Sequence, residues 1–378
     1  LIMSARADKY VIGLTGNIAT GKSVVRKMLE HLGAYGIDAD TLAHRAIMKG
    51  APGYQPTLEA FGRWILDKDD QINRKELGKI VFASTSAMSV LEEIVHPLVR
   101  QAIDVLVKRS SKRVVVIEAI KILETDLHTL CDQIWVTKAK PEKQLNRLVR
   151  KRELSPEDAQ QRIDAQNQAS EKLKMADVII DNSGSFELTW EQVSKAWKTI
   201  PLVSSKPKPP SPPSPAKLVV QRATPNQTEE IASFFSQQGF GEKYKNHANV
   251  MEAFGEKAFL LLRSGKEIVG LLGWQVENLI TRGDDLILKD GVSPQQSLEL
   301  LVNAMEESSR ELQSEAALLF LSTTIAKYEK IWNDLGYQAK QIQELSVRAW
   351  QESAVELMRP GKKLFFKRLR ESRVLHPM

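Results

Sequence analysis

A glycine-rich loop between a short apolar strand and an amphipathic helix constrains this chain more than any other feature. The segment GLTGNIATGKSVV, residues 13–25, overlaps the apolar run 10–14 and leads into a helical pattern over 24–32. Its spacing G-x-x-x-x-G-K-S lets backbone N–H groups turn inward around a phosphate chain, and the helix N-terminus adds positive potential. The segment therefore predicts a nucleotide-binding loop, with a glycine-rich turn and a chance lysine as the alternative.

The loop supplies the residues predicted to bind ATP and Mg²⁺. Lys22 is expected to reach the β- and γ-phosphates and to take part in catalysis, and the Ser23 hydroxyl is expected to bind the Mg²⁺ that bridges them. The whole ATP-binding stretch is predicted to comprise Gly16, Asn17, Ile18, Ala19, Thr20, Gly21, Lys22, Ser23 and Val24.

The composition limits the classes of protein that the chain can represent. Its 378 residues exceed one usual domain, and its net charge of +6 suits phosphorylated ligands but is too diffuse to indicate nucleic acid. A single cysteine, Cys131, excludes an intramolecular disulfide and a cysteine-cluster metal site. No apolar run approaches the length of a membrane span, and the opening residues lack a signal-peptide pattern. We therefore expect a cytoplasmic protein without a membrane partner.

A proline-rich segment divides the chain into two predicted domains. Seven prolines lie within residues 201–215, a composition that cannot continue a helix or a paired strand. The predicted boundaries are 9–200 for the first domain, 201–217 for the linker and 218–378 for the second domain. A polyproline linker acts as a semi-rigid spacer between domains.

The two halves differ in their pattern of strands and helices. In the first, strand candidates at 10–14, 113–119, 133–137 and 178–180 alternate with longer helical patterns. Such alternation predicts an α/β fold with a parallel sheet covered by helices. In the second, strand candidates lie at 218–222, 258–263 and 268–276, and a helix candidate spans 295–312. The second half is therefore predicted to be a mixed α/β domain.

Two aspartates follow the next apolar segment, in YGIDADTLAHRAI. Asp38 is predicted to be the catalytic carboxylate that accepts or orients the proton of an attacking hydroxyl, while a metal ion balances phosphate charge. Asp40 is predicted to cap a helix over 41–48. The alternative for Asp38 is a strand end or a Mg²⁺ ligand.

The segment HPLVR supplies a candidate substrate-binding pair. Pro97 suits the first turn of a helix, which would place His96 and Arg100 four residues apart on one face. An arginine can bind phosphate oxygens with two parallel hydrogen bonds. The alternative is an N-capping His96 and a solvated Arg100.

Taken in order, GLTGNIATGKS, IDAD, HPLVR and ADVIIDNSG resemble the dephospho-coenzyme A kinase family over about residues 9–200. The resemblance implies a P-loop NTPase parallel sheet with a helical lid, and transfer of the ATP γ-phosphate to the ribose 3′-hydroxyl of dephospho-coenzyme A. It also implies that Asp38 is the catalytic base, that 176–184 lies near the adenine, and that Arg147 acts in catalysis and Arg150 binds ATP from the lid. The helix carrying both arginines is followed by a capping-box pattern at 155–158, although a solvated helix face explains the same charges.

The chain departs from the family pattern at several positions. Asn17 and Val24 stand where glycine and threonine are common, and residues 151–153 read Lys-Arg-Glu where the lid usually has Arg-Asp-Gly. Lys121 lies where the family has a proline-leucine-leucine segment, and we expect it to contact the phosphorylated substrate. Two alternatives therefore stay open: another P-loop nucleoside or nucleotide kinase, and a nucleotide-binding scaffold with a worn kinase site.

The second half opens with LVVQRATPNQTEEIASFF and later reads KYEKIWNDLGYQAK. These segments resemble, more faintly, the first strand and helix and the C-terminal helix, turn and strand of the GNAT acetyltransferase fold, and the similarity spans most of residues 218–345. Where that superfamily has a glycine-rich turn that directs amides at a pyrophosphate, this chain has KDGVSPQQSLELL, and Pro294 has no N–H to donate. We therefore expect a non-catalytic module, with a protein partner as one possible role. The basic tail beyond Arg359 is predicted to be a solvated terminal helix or strand.

Overall fold

The computed structural model describes residues 9–152, 154–164, 169–201, 218–240 and 243–370. The described chain divides into two compact units, one formed by residues 9–26 and 33–184 and the other by residues 27–32 and 185–370. The predicted linker, apart from Pro201, lies outside the described residues. The boundaries expected from the sequence stay a prediction.

The first unit contains a five-stranded sheet in which every neighbouring pair is parallel. The strands are β1 (Tyr10–Gly16), β2 (Tyr35–Asp38), β3 (Val114–Glu118), β4 (Gln133–Lys138) and β5 (Val178–Asp181). Their order across the sheet is β2-β3-β1-β4-β5. The central strands β1 and β3 are buried along almost their whole length, as their continuous apolar runs require. The predicted parallel sheet is confirmed.

Helices connect these strands. They are α1 (Lys22–His31), α2 (Ala39–Ala46), α3 (Tyr54–Phe61), α4 (Arg74–Ala83), α5 (Thr85–Arg109), α6 (Pro141–Arg152), α7 (Pro156–Asp164) and α8 (Ala169–Lys174). The predicted break between two lid helices lies between α6 and α7, where the Ser155 hydroxyl accepts the Asp158 N–H at 3.1 Å. This is the Ser155 half of the predicted capping box.

Pro97 does not begin a helix, so the expectation that it occupies a first turn is wrong. It lies inside α5, a helix of 25 residues whose N-cap is Ser84. Proline removes only one backbone hydrogen bond, and the buried side chains on both sides of it, among them Val95 and Val99, hold the helix together. His96 and Arg100 still lie four residues apart on one helix, but His96 is not an N-cap.

The second unit contains a seven-stranded sheet in the order β11-β12-β10-β9-β8-β7-β6. Its strands are β6 (Leu218–Arg222), β7 (Ala258–Ser264), β8 (Glu267–Glu277), β9 (Ile280–Leu288), β10 (Ala316–Ser322), β11 (Gln338–Ala339) and β12 (Lys362–Arg368). All neighbours are antiparallel except β9 and β10, which are parallel. The predicted mixed α/β fold is confirmed.

Helices cover this second sheet. They are α9 (Phe186–Trp197), α10 (Thr228–Gln237), α11 (His247–Phe254), α12 (Pro294–Glu311), α13 (Thr323–Ala326), α14 (Glu329–Asp334) and α15 (Arg348–Leu357). The crossover helix α12 buries Leu298, Leu301 and Met305 in the largest apolar cluster of this unit. A second cluster contains Phe235 and Phe259.

The described part of the basic tail contains a strand, one of the two elements predicted for it, but this strand is paired on both sides and is not solvated along its length. Residues Lys362–Arg368 form β12, which pairs with β10 on one side and with β11 on the other. Leu364 and Phe365 are buried, and their burial in the sheet outweighs the solvation of the flanking lysines. The charged ends of this strand had concealed its apolar centre.

Candidate active site

The phosphate loop, residues 16–23, connects the end of β1 to the start of α1. Gly21 has φ +91°, a conformation that residues with a Cβ rarely adopt. A Cβ built on it would lie 1.9 Å from Asn182 Nδ2, so space as well as conformation requires glycine. Asn182 directly follows β5, and its Nδ2 donates to the Thr20 carbonyl at 2.9 Å. The end of β5 therefore holds the shape of the loop.

Lys22 lies within the loop that it was predicted to serve. It is almost completely buried, and its Nζ donates to the Gly16 carbonyl at 2.9 Å and to the Asn17 carbonyl at 3.4 Å. These carbonyls carry only partial negative charge. A phosphate chain would offer the ammonium fully charged oxygens, which form stronger hydrogen bonds.

Glu118, the last residue of β3, is a site residue that the sequence reasoning did not select. One of its carboxylate oxygens accepts the Ser23 hydroxyl at 2.8 Å, and the other pairs with Arg26 Nε at 2.6 Å. Because Ser23 donates its proton to Glu118, the lone pairs of its Oγ can face a cation. The available signal was positional, since polar residues at the carboxyl ends of parallel strands meet at one edge of the sheet.

The predicted N-cap at Asp40 is wrong. Helix α2 begins at Ala39, so Asp38 is its N-cap and its Oδ1 accepts the Thr41 N–H at 2.9 Å. Asp40 lies in the first turn, where its Oδ2 accepts the Ile120 N–H at 3.2 Å. Both aspartates fit the local cap pattern. Only the pairing of β2 with β3, with Asp38 beside Glu118, determines where the strand ends.

Asp40 has a perturbed acidity. Burial raises the pKa of its carboxyl to about 6, and the neighbouring Asp38 carboxylate acts in the same direction. The charge of Lys22 and the hydrogen bond from the Ile120 N–H partly oppose this rise. A carboxylate with a pKa just below neutrality is ionised at neutral pH and still basic enough to accept a proton from a hydroxyl.

Arg147 is the lid candidate that the structure brings to the phosphate loop. Its Nη1 donates to the Ala19 carbonyl at 3.0 Å, and its Nη2 donates to the Asn182 carbonyl at 2.8 Å. Burial lowers the pKa of its guanidinium, which nevertheless stays charged because an arginine is not deprotonated in proteins. Arg150, three residues further along α6, is exposed, and its contact with ATP stays a prediction.

Two of the predicted substrate-binding residues, Arg100 and Lys121, have acidic partners. Arg100 pairs with Asp126 at 2.6 Å, and Lys121 pairs with Glu92 at 2.9 Å. These ion pairs are at least partly exposed, so a phosphorylated ligand could displace them at a small free-energy cost. His96 is half-buried on α5. The roles of these three residues stay predictions.

The segment KDGVSPQQSLELL of the second unit, which is compared above with a pyrophosphate-binding turn, follows β9 and leads into α12. Ser293 is the N-cap of α12, and its hydroxyl accepts the Gln296 N–H at 3.5 Å. Pro294 is the first residue of the helix and contributes no N–H. The helix terminus is therefore capped by the chain itself.

The part of the chain that the structure describes contains neither a membrane-spanning helix nor a cluster of metal-ligating side chains. No helix there is long and apolar enough to span a membrane. The same residues contain no group of three or more His, Cys, Asp or Glu side chains suited to holding a metal ion.

Together, the parallel sheet, the glycine loop with its lysine and serine, and the nearby carboxylates define a P-loop phosphotransferase. A family model described as dephospho-CoA kinase matches residues 10–187. A dephospho-CoA kinase of Carboxydothermus hydrogenoformans is 43% identical over 186 residues, which cover 48% of this chain and 90% of that protein. The chain belongs to the dephospho-CoA kinase family.

Solved structures are similar to each half of the chain. Dephospho-CoA kinase from Campylobacter jejuni is 30% identical, covers 51% of this chain and 97% of its own, and has a TM-score of 0.35. An acetyltransferase of the GNAT family from Staphylococcus aureus Mu50 is 10% identical, covers 41% of this chain and 100% of its own, and has a TM-score of 0.31.

Proposed function

We propose that the first unit transfers the γ-phosphoryl group of ATP to the ribose 3′-hydroxyl of dephospho-coenzyme A, giving coenzyme A. Membership of the family supports this acceptor. The observation that carries the chemistry is the meeting of Lys22, Ser23 and Asp40 at one edge of the sheet, where β1, β2 and β3 end side by side. The loop would hold the phosphates, and Lys22 and Arg147 would balance the charge of the transferring group.

The residues around Ser23 fit a magnesium ion. Mg²⁺ prefers hard oxygen ligands and usually keeps several of its waters. The Ser23 hydroxyl donates its proton to Glu118, so the lone pairs of the Ser23 oxygen stay available for a cation. The buried ion pair with Arg26 keeps the Glu118 carboxylate in place. The Ser23 hydroxyl oxygen would hold the Mg²⁺, which would neutralise part of the phosphate charge during transfer.

Asp40 fits the role of the general base better than Asp38. Each of the two carboxylates accepts a backbone N–H, from Thr41 at Asp38 and from Ile120 at Asp40. The difference is that burial raises the pKa of the Asp40 carboxyl towards neutrality. We therefore assign proton abstraction from the acceptor hydroxyl to Asp40 and helix capping to Asp38. The role that the sequence predicts for Asp38 is the competing assignment.

Two isosteric variants separate these assignments. Asp40→Asn should lower kcat by roughly 10²-fold or more, because an amide can hold the Ile120 N–H but cannot accept the proton. Asp38→Asn preserves an oxygen for the cap and should retain most of kcat. Both variants should bind ATP in calorimetry as the parent does. A large loss confined to Asp38→Asn would return the base to Asp38, and rescue of that variant by excess Mg²⁺ would make Asp38 a metal ligand.

The acceptor itself needs a direct test, because another P-loop nucleoside or nucleotide kinase could share this loop and lid. The full chain with ATP and Mg²⁺ should form ADP with dephospho-coenzyme A and not with a panel of nucleosides and nucleoside monophosphates. Product analysis should locate the new phosphate on the ribose 3′-oxygen. Preference for a nucleoside would establish the alternative kinase, and no turnover with any acceptor would favour the scaffold.

We propose that the second unit is a non-catalytic module. Ser293 caps α12, and Pro294 cannot donate an amide to a pyrophosphate. The full chain incubated with acetyl-coenzyme A and a panel of amines should show no acetyl transfer above the blank. Acetylation of any amine would make the protein bifunctional.

A further inference from the structure

Lys172 on α8 is a buried lysine to which the site described above assigns no task. Its side chain is 7% exposed. Its Nζ donates to the Ile120 carbonyl at 2.7 Å and pairs with Glu124 Oε1 at 3.4 Å. Burying an ammonium costs free energy unless its charge and hydrogen bonds are satisfied. The hydrogen bond from the Lys172 ammonium to the Ile120 carbonyl, close to the proposed site, therefore suggests a role for this lysine.

The backbone of Ile120 connects this lysine to the proposed base. The Ile120 N–H donates to Asp40 Oδ2 at 3.2 Å. The carbonyl of the same residue accepts the Lys172 ammonium and also the Thr15 hydroxyl, at 2.9 Å. Two donors, one of them charged, hold the carbonyl, which belongs to the peptide plane that follows Ile120. This plane meets the plane of the Ile120 N–H at the Ile120 Cα, so holding the first limits how far the second can turn away from the Asp40 carboxylate.

We propose that Lys172 is a positioning residue for phosphoryl transfer, which orients the Asp40 carboxylate through the backbone of Ile120. The inference rests on the proposed role of Asp40. Lys172 does not contact the carboxylate itself, so it acts by geometry. A base must lie within hydrogen-bond reach of the hydroxyl proton, and a displacement of about 1 Å can cost as much as 10²-fold in rate.

A purely structural lysine would have a different signature. If Lys172 served only to neutralise Glu124 and anchor α8, its loss would destabilise the fold and would affect every variant of the site equally. A positioning residue should instead affect kcat, leave ATP binding intact, and lose its effect when the base that it positions is absent.

The experiment compares Lys172→Met, which keeps the length of the side chain without its charge, with Lys172→Arg, which keeps the charge. Lys174→Met on the same helix is the matched control, because Lys174 is exposed. Lys172→Met should lower kcat about tenfold or more, the expected loss of a charged hydrogen bond. ATP affinity in calorimetry should stay within about twofold of the parent. Lys172→Arg should recover most of kcat, and Lys174→Met should match the parent.

A double-mutant cycle gives the decisive readout. In the Asp40→Asn background, Lys172→Met should cause no further loss of kcat. Should Lys172→Met fold poorly, Thr15→Val removes the other donor to the same carbonyl and should show the same dependence on Asp40. An unchanged kcat in Lys172→Met, or an equal loss in both backgrounds, overturns the proposal while leaving the base assignment standing. Full activity of Asp40→Asn alone would overturn the base assignment and this inference with it.

Discussion

The two units each contain a turn that leads from a strand of a parallel pair into a helix, and the two turns differ in what their glycines face. Gly21, between β1 and α1, has φ +91° and lies against Asn182. Gly291, between β9 and α12, has φ +86°, but nothing lies within 4 Å of the position of its Cβ. The turn at Gly21 is packed against a side chain from another strand end, whereas the turn at Gly291 has no such neighbour at its glycine.

The helix that follows each turn shows the same contrast. α1 begins with Lys22, whose ammonium folds onto the loop carbonyls, and with Ser23, whose hydroxyl reaches Glu118. α12 begins with its own cap at Ser293 and with Pro294. Equal topology therefore does not imply equal function, since a turn binds phosphate only when its side chains and amides face the ligand.

The largest expected difference between the turns concerns their lysines. Lys22→Ala should lower kcat by roughly 10³-fold or more, because no other group replaces a charge that follows the migrating phosphoryl. Lys289→Ala, in the turn after β9, should leave kcat unchanged, because Lys289 pairs only with exposed Glu267 in its own unit. Steady-state kinetics on both folded variants make the comparison. Near-normal turnover in Lys22→Ala would remove the functional distinction between the turns.

The second-largest expected difference concerns the stability effects of substituting the two glycines. Gly21→Ala combines a disfavoured φ with a clash against Asn182, so we expect loss of ATP binding in calorimetry and a destabilisation of several kcal/mol, roughly 3 or more. Gly291→Ala meets open space and should cost only the conformational strain, about 1 kcal/mol. Urea unfolding measures both values. Equal destabilisation would mean that the packing around Gly21 contributes nothing.

The buried Asp40 carboxylate should lower the free energy of unfolding at neutral pH, an effect that we do not expect in the turn after β9. The raised pKa of Asp40 means that the folded state favours the protonated carboxyl. This stability is fully present below the ordinary pKa of about 3.8 and is lost as pH rises through about 6. Asp40→Asn should therefore raise the free energy of unfolding by about 2–3 kcal/mol at pH 7.5 and by about 1 kcal/mol at pH 4.5, with little change at about pH 3.

The matched control for this effect is Asp290→Asn in the turn after β9, where the aspartate is exposed. Its free energy of unfolding should change by less than about 0.5 kcal/mol at each of these pH values. A stability gain in Asp40→Asn that is independent of pH would refute the titration of Asp40 as its cause.

The smallest expected effect is at the cap of α12. Ser293→Ala should lower the free energy of unfolding by about 1 kcal/mol, the usual value of a lost N-cap, and leave kcat unaltered. Thermal and urea unfolding would detect the change. If this variant bound acetyl-coenzyme A, the Ser293 cap would be the group that prevents the N-terminus of α12 from binding a ligand.

Several features could be predicted from local sequence because their signals are local. The loop residues 16–23, the strand before the loop, the helix after it and the α6–α7 break follow from glycine positions, apolar runs and a serine cap. Strand β2 received no clear boundary, because four residues with a glycine in second place carry little periodic signal. Strand β12 was obscured by its charged ends.

The candidate site divides in the same way. Lys22 and Ser23 could be chosen from spacing alone, because their chemistry depends on the loop that they terminate. Glu118, Asn182 and Lys172 could not, since each meets the site only when strands or helices distant in sequence come together. Their residue types are common, and no local pattern marks them.

Local sequence was enough to predict a glycine-rich loop between β1 and α1, a parallel sheet and a second, mixed α/β fold, because glycine conformation and apolar periodicity act over a few residues. Which aspartate caps α2, and which one is buried with a raised pKa, depended on the three-dimensional structure. A cap depends on where a strand ends, and the acidity of a carboxyl depends on its burial and on neighbouring charges. Both are set by strand pairing and packing between segments as distant as residues 40 and 120.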